Sequence, residues 1–223
     1  MKIVNARNLS LQEDLTTEDL ERFQRSAIVA VDTETTGLNP HRDVVCMVQL
    51  CDRHGYVNII RASDWTKSYV LRKLLEDQSI TKVFHYALFD CSMLLHNLNV
   101  EVANPYCTKI ASKIARTYTS EHSLNSLVKE LFEIELDKSQ QSTDWLREQI
   151  SQKQLEYAAN DVAWLIELKT ILDRMLVRRG LLPTGITFTD LNERCQQFIP
   201  TLVHLWVNGW NFGTEDRASI FSH

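Results

Sequence analysis

A short apolar run that ends in two acids constrains the fold of this 223-residue chain more than any other stretch. Residues 27–31 read Ala-Ile-Val-Ala-Val, the composition of a buried strand, and Asp32 and Glu34 follow with one residue between them. Because side chains alternate along a strand, we expect both acids on one face. Two carboxylates held that close repel each other unless a proton or a cation lies between them. The stretch suits a site for a hard divalent cation, but alone it fits a solvated strand end better, so the site needs further residues.

Apolar and turn-forming segments indicate an α/β fold. Strands are predicted at residues 27–34, 44–52 and 56–60, and the short turns between them predict an antiparallel meander. Two more strands, at residues 80–84 and 100–102, alternate with helical patterns. We therefore expect a mixed five-stranded sheet flanked by helices. Long helices are predicted at residues 151–178 and 189–208, the second bent at Pro200 and forming a C-terminal helical extension.

Three further polar residues are placed by this pattern where they could join the two strand acids. Asp90 falls in the first turn of a helix just beyond the fourth strand, a position that also suits an acid for its interaction with the helix N-terminus. Tyr157 and Asp161 are four residues apart on the long helix, so they share one face. A local hydrogen bond on the helix surface would explain this second pair as well.

Composition limits the class of protein. Hydrophobic residues make up 44% and charged residues 24% of the chain, as in ordinary globular proteins, and no apolar run is long enough to cross a bilayer. The first seven residues lack an apolar signal segment, so we expect a cytoplasmic protein without a membrane partner. The five cysteines show no C-x-x-C spacing and are expected to be reduced core residues.

The net charge of −5 argues against binding of long nucleic acid through diffuse neutralisation of phosphates. It does not exclude a nuclease, because bound metal ions would supply the local positive charge.

Three motifs in a fixed order carry a family resemblance. Residues 31–38 read VDTETTGL, residues 83–90 read VFHYALFD and residues 157–162 read YAANDV. In these motifs the chain resembles the DEDDy 3'-5' exonucleases of the ribonuclease H-like fold, and specifically the ribonuclease D group. The loop at residues 138–145, KSQQSTDW, is also similar to that group. Residues 41–43, 107–113, 116–119 and the tail near residues 209–210 and 220–221 most resemble the short nanoRNase C type, an oligoribonuclease.

The resemblance implies a catalytic site of four acids and a tyrosine. The resemblance implies an enzyme that uses two ions, Mg²⁺ or Mn²⁺. It would hydrolyse short single-stranded RNA from the 3' end to nucleoside 5'-monophosphates. Asp32 would bridge both ions, Glu34 and Asp161 would complete the site of the water-activating ion, and Asp90 would hold the ion beside the leaving oxygen. Tyr157 would orient the attacking water, since a phenol is mostly neutral at pH 7.

Expected substrate contacts rest on the same resemblance. Backbone groups near the first motif would reach the terminal nucleotide and Leu38 would wedge against a base. His85 either meets a phosphate or packs structurally, and Trp145 either stacks on a base or packs in the core. The full set of expected contacts is Thr35, Thr36, Gly37, Leu38, His85, Lys138, Gln141 and Trp145.

For organisation, we predict an exonuclease domain at residues 1–182 and a C-terminal helix and tail at residues 183–223, packing on that domain or on a neighbouring subunit. The resemblance implies a homo-oligomer in the form of an octameric ring. Two alternatives stay open: an exonuclease acting on DNA or on both nucleic acids, and a catalytically silent nucleic-acid-binding module. The presence of all four acids and Tyr157 argues against the second.

Overall fold

A mixed sheet lies at the centre of the protein. The computed structural model describes residues 7–137, 139–140 and 143–209, and within them the sheet has six strands. Their spatial order is β1-β4-β3-β2-β5-β6. The strands are β1 (Arg7–Gln12), β2 (Ile28–Thr35), β3 (Val45–Cys51), β4 (Tyr56–Ile60), β5 (Thr81–Phe84) and β6 (Pro105–Cys107).

Strand directions bring the end of β2 to one edge of the fold. β2, β3 and β4 pair antiparallel, which confirms the predicted meander, whereas β2 pairs parallel with β5 and β5 with β6. The carboxyl ends of β2 and β5 therefore lie at the same end of the sheet. The residues that follow these two strands, which include Asp90, are thereby brought towards the acids of β2.

The sheet has one strand more than the five predicted. β1 pairs parallel with β4 at the sheet edge, a contact that depends on a distant segment and leaves no local turn pattern. The last strand begins at Pro105, later than the predicted residues 100–102. Because β6 is an edge strand and Pro105 is its first residue, the missing N–H does not weaken the sheet.

Helices cover both faces of the sheet. Besides a short 3-10 turn at Trp65–Lys67, the described helices are α1 (Thr17–Ser26), α2 (Tyr69–Leu75), α3 (Ala87–Leu98), α4 (Thr108–Ala115), α5 (Leu124–Phe132), α6 (Gln152–Ala163), α7 (Leu165–Arg179), α8 (Phe188–Gln197) and α9 (Ile199–Val207). None of these helices is long and apolar enough to pass through a bilayer.

The alternation of β2 decides which layer its acids face. Val29 and Val31 pack in one core with α1, α2, α3 and α9, whereas Ala30 packs in the other with α4, α5, α6 and α7. Asp32 and Glu34 continue the even-numbered face that Ala30 begins, so they point to the layer that contains α6. Thr33 points to the layer that contains α3.

Both long predicted helices are interrupted. The helix predicted at residues 151–178 divides at Trp164, whose buried ring packs against Phe132. The helix predicted at residues 189–208 divides at Phe198, and Pro200 falls in the first turn of α9, where its missing N–H costs no hydrogen bond.

The C-terminal helices pack on the sheet. The Gln196 side chain accepts a hydrogen bond from Cys107 N at 2.7 Å and donates one to Cys107 O at 3.2 Å, which ties α8 to β6. Ile199 and Val203 of α9 lie in the core beside α3. The predicted apolar tail beyond residue 209 lies outside the described residues, and the boundary at residues 182–183 stays a prediction.

Candidate active site

Three carboxylates converge at the end of β2. Asp32 and Glu34 come from the strand and Asp161 from α6, and one oxygen of each lies within 4.8 Å of the others. The helix reaches the strand because Ala158, Ala159 and Val162 are buried against it. A group of three oxygens at this spacing suits a divalent cation with oxygen ligands.

Asp90 approaches the same strand from the other layer. It is buried in the first turn of α3, and its Oδ1 accepts hydrogen bonds from Thr33 N at 3.1 Å and from Thr33 Oγ1 at 2.7 Å. Asp90 is therefore fixed to the residue between the two strand acids. It lies outside the group of three, yet its charge contributes to the raised pKa of Asp32.

The four acids bind protons readily when no cation is present. Burial, followed by the charges of the neighbouring acids, holds the pKa of Asp32 well above its usual range. Burial, with repulsion from Asp161 and Asp90, raises the pKa of Glu34 to about 9. Burial also raises the pKa of Asp90 and of Asp161 to about 7 each, against the lowering effect of hydrogen bonds from Thr33 and from Tyr157 respectively. A cation at this site would replace those protons.

Tyr157 lies one helical turn before Asp161. Its ring packs against Trp145 with centroids 6.1 Å apart, which fixes the side chain beside the acids. Burial, then the charges of Asp161 and Glu34, raises the pKa of Tyr157 far above its usual range. The phenol is therefore a neutral hydrogen-bond donor at physiological pH.

The turn after the acids is held by its own hydrogen bonds. Thr35 Oγ1 donates to Gly37 O at 2.7 Å, and Thr36 N–H donates to Val44 O at 3.0 Å. The Thr36 amide is thus already used by the protein and is not free for a nucleotide. Leu38 stands out from the turn with 77% of its surface exposed.

The Asp43 carboxylate lies inside this turn and holds it together. Its Oδ2 accepts from Asn39 N at 2.9 Å, and a Cβ on Gly37 would collide with the Asp43 carboxylate. The glycine is therefore required for close approach inside the protein. Sequence reasoning missed this role of Asp43.

The remaining expected substrate contacts lie in different settings. His85 Nδ1 is 2.9 Å from Thr108 Oγ1, and burial, with the nearby charge of Lys109, lowers the pKa of His85 to about 3, so the imidazole is neutral. Trp145 is only 3% exposed and packs in the core. These positions favour the structural alternative for both residues. Lys138 and Gln141 lie outside the described residues.

Two polar residues beside the acids were not singled out by the sequence. Thr33 holds Asp90, and the alternation of β2 already required it to face away from Asp32 and Glu34. Gln49 lies directly across from Asp32 on β3, a strand whose seven residues are all buried. A lone amide in such an apolar strand is the feature that could have marked it.

Comparison with known proteins agrees with the motifs. Residues 9–177 match a family model described as 3'-5' exonuclease. Ribonuclease D of Gluconacetobacter diazotrophicus is 30% identical over 171 residues, which cover 75% of this chain and 43% of the relative. DNA polymerase I of Aquifex aeolicus is 33% identical over 211 residues, which cover 90% of this chain and 35% of the relative. The chain thus spans less than half the length of these two relatives.

Among solved structures, NrnC of Brucella melitensis is similar over nearly the whole of both chains. The match has a TM-score of 0.85 and 40% identity and covers 97% of this chain and 99% of that chain. The same protein has been solved bound to pGG and with bound Mg²⁺. The predicted ribonuclease H-like fold and the resemblance to the ribonuclease D group and nanoRNase C type are confirmed. The chain belongs to the 3'-5' exonuclease family.

Proposed function

We propose that this protein is a metal-dependent 3'-5' exoribonuclease that hydrolyses short single-stranded RNA to nucleoside 5'-monophosphates. The observation that carries the proposal is the convergence of Asp32, Glu34 and Asp161 within 4.8 Å, with Asp90 hydrogen-bonded to the strand residue between the first two. The acids come from three separate parts of the chain.

The donor set fits magnesium or manganese. The group consists of carboxylate oxygens alone, which hard divalent cations prefer. None of the ion pairs among residues 7–137, 139–140 and 143–209 involves the four acids. Their charge is thus left for a cation to balance, and the Mg²⁺-bound structure of NrnC supports the same ion here.

The chemistry follows from where the residues lie. Divalent cations, when bound, would supply positive charge beside the attacking and leaving oxygens of a phosphodiester. Asp32 would hold both ions, Glu34 and Asp161 would hold the ion on the side of the attacking water, and Asp90 the ion on the leaving side. Tyr157 would orient that water through its hydroxyl rather than remove its proton, because its raised pKa makes the phenolate a rare species.

A short substrate is supported by the solved complex of NrnC with pGG. In this chain Leu38 is exposed at the turn beside the acids, where an apolar side chain could wedge against one base. The homo-oligomer, with an octameric ring as its expected form, is part of the proposal. The exposed apolar residues Val177, Leu181 and Phe198 offer surface for subunit contacts, and the native mass of the purified protein tests this assembly.

The experiment that tests the proposal compares matched RNA and DNA oligomers of two and twenty nucleotides, with Mg²⁺ or Mn²⁺ and with chelator. We expect mononucleotides released from the 3' end of RNA, most rapidly from the dinucleotide, and turnover reduced on the order of 10²–10³-fold or more in an Asp32→Asn variant. Turnover of DNA alone would reject the RNA assignment, and intact oligomers with both metals would reject the nuclease assignment.

DNA hydrolysis by the same site is the second candidate. The similarity to DNA polymerase I of Aquifex aeolicus, at 33% identity over 211 residues, is the observation that favours it. The same oligomer comparison separates the two candidates, because a site that reads the 2'-hydroxyl discriminates against DNA.

A further inference from the structure

Gln49 is a buried amide at the centre of β3. It is fully buried, and in the antiparallel pairing of β2 and β3 it lies directly opposite Asp32. Directly opposed residues of neighbouring strands project from the same face of a sheet. Met47 and Cys51, two residues to either side of Gln49, pack in the core that contains α6, which identifies that face. Gln49 therefore points into the layer where Asp32 and Asp161 meet.

The Gln49 side chain has no hydrogen-bond partner in the described part of the chain. Neither Nε2 nor Oε1 of Gln49 is bonded to any of the residues that the structure describes. Its other cross-strand neighbour is the apolar Ile59 of β4. A buried amide that makes no hydrogen bond loses its hydration without compensation, so it opposes folding.

Two other buried glutamines show what a structural amide looks like in this protein. Gln154 accepts from Ser151 N and donates to Thr143 Oγ1 and Asp144 O, and Gln196 bonds to both backbone groups of Cys107. Both amides are saturated by protein atoms. Gln49 differs from them in lying beside an acid of the candidate metal site.

We infer that Gln49 is a positioning residue for Asp32: its Nε2–H donates to the Asp32 carboxylate when that group is ionised and holds cations. The inference rests on the proposed function. Such a bond would be charge-assisted and would fix one orientation of the carboxylate, as Thr33 does for Asp90 from the other layer. Groups that orient metal ligands in this way contribute about 10–100-fold to metal affinity.

The test separates the binding of cations from folding. Mn²⁺ affinity of the full chain is measured without substrate by calorimetry and electron paramagnetic resonance, and urea unfolding is followed in chelator. For Gln49→Met, which keeps the volume and removes the amide, we expect about 10–100-fold weaker Mn²⁺ binding and an unchanged or higher urea midpoint. Ile59→Val is the matched control, because it trims the neighbouring side chain and leaves the amide: its midpoint should fall and its Mn²⁺ affinity should stay unchanged.

The opposite pattern would overturn the inference. A purely structural amide predicts a lower urea midpoint for Gln49→Met with unchanged Mn²⁺ affinity. Suppose that wild type binds Mn²⁺, that Asp32→Asn does not, and that Gln49→Met binds Mn²⁺ as wild type does. The inference about Gln49 is then rejected, and the proposed function is not. If wild type binds no Mn²⁺, the proposed function fails together with it.

A measurement on the wild-type protein keeps the inference testable if Gln49→Met does not fold. The side-chain amide protons of Gln49 are followed by nuclear magnetic resonance during a Mg²⁺ titration. We expect one proton to shift downfield and exchange more slowly at saturation, and no such change in Asp32→Asn. Amide protons that exchange at the same rate with and without saturating Mg²⁺ would refute the hydrogen bond.

Discussion

Two acids of the β2–β3 pair, Asp52 and Asp32, have opposite surroundings. Asp52, just after β3, accepts hydrogen bonds from His54 N at 2.8 Å and Tyr56 N at 3.1 Å. Its other oxygen lies 2.9 Å from Arg22 Nε, an ion pair without the alignment of a hydrogen bond. Asp32 instead lies beside other acids, and burial followed by the charges of Asp90, Asp161 and Glu34 raises its pKa.

The difference separates an acid that stabilises the fold from acids that serve a reaction. Backbone N–H donors and the Arg22 guanidinium surround Asp52, so its charge is balanced by the protein itself. The charge of Asp32 and the acids around it is balanced only by protons or by a cation from solution. The four predictions below would sharpen or break this distinction, beginning with the largest expected effect.

The largest effect is expected for Asp32→Asn. Losing the carboxylate that would hold both ions should reduce turnover of dinucleotide RNA on the order of 10²–10³-fold or more, the cost of removing one group that stabilises a transition-state charge. Unfolding in chelator should require no less urea than for wild type, because one source of repulsion is removed. Wild-type turnover by this variant would break the distinction.

For Asp52→Asn we expect the reverse pattern, a loss of stability without a loss of turnover. Removing the Asp52 charge leaves Arg22 with Asp19 as its remaining counter-charge and weakens the acceptor of the His54 and Tyr56 amides, so we expect a loss of about 1–3 kcal/mol in the free energy of unfolding. Mn²⁺ affinity and turnover per folded molecule should equal those of wild type. Urea unfolding and Mn²⁺ titration of the same preparation measure both effects.

The metal-free protein should lose stability as pH rises. The pKa values of Asp90 and Asp161 are raised to about 7 and that of Glu34 to about 9, so the folded state binds more protons than the unfolded state above the usual carboxyl pKa near 4. This contribution is complete below pH 4 and is lost between pH 4 and 9. Urea unfolding at pH 5, 7 and 9 should therefore show that saturating Mg²⁺ stabilises the protein most at pH 9. A Mg²⁺ effect independent of pH would contradict the coupling of acids and cation.

The smallest effect is expected for Thr33→Val. The substitution removes the hydroxyl that donates to Asp90 at 2.7 Å and keeps the shape of the side chain and the backbone N–H donor. A hydrogen bond to a charged group is worth about 1.5–3 kcal/mol, so turnover should fall by at most about 10–150-fold. Thr170→Val, which removes a hydroxyl that donates to Ile166 O on α7, is the control and should leave turnover unchanged.

Local rules predicted the features that depend on neighbouring residues. Strand alternation placed Asp32 and Glu34 together, and helix periodicity paired Tyr157 with Asp161, because both patterns are fixed within a few residues. Fold class and meander followed from the same reasoning.

Long-range contacts were beyond such rules. β1 pairs with the edge of β4, and the break at Trp164 coincides with packing of its ring on Phe132 rather than with a glycine or proline. The bond between Thr33 and Asp90 and the pairing of Gln49 with Asp32 join segments whose register only the folded sheet fixes. The position of the site was thus predictable, whereas the residues that support its acids were not.

The most direct test of the account is anomalous diffraction from crystals of the protein grown with Mn²⁺. We predict manganese between Asp32, Glu34 and Asp161, and a second ion between Asp32 and Asp90. Well-ordered carboxylates without manganese among them, in crystals that contain the ion at saturating concentration, would contradict the central claim that these acids form a metal-dependent nuclease site.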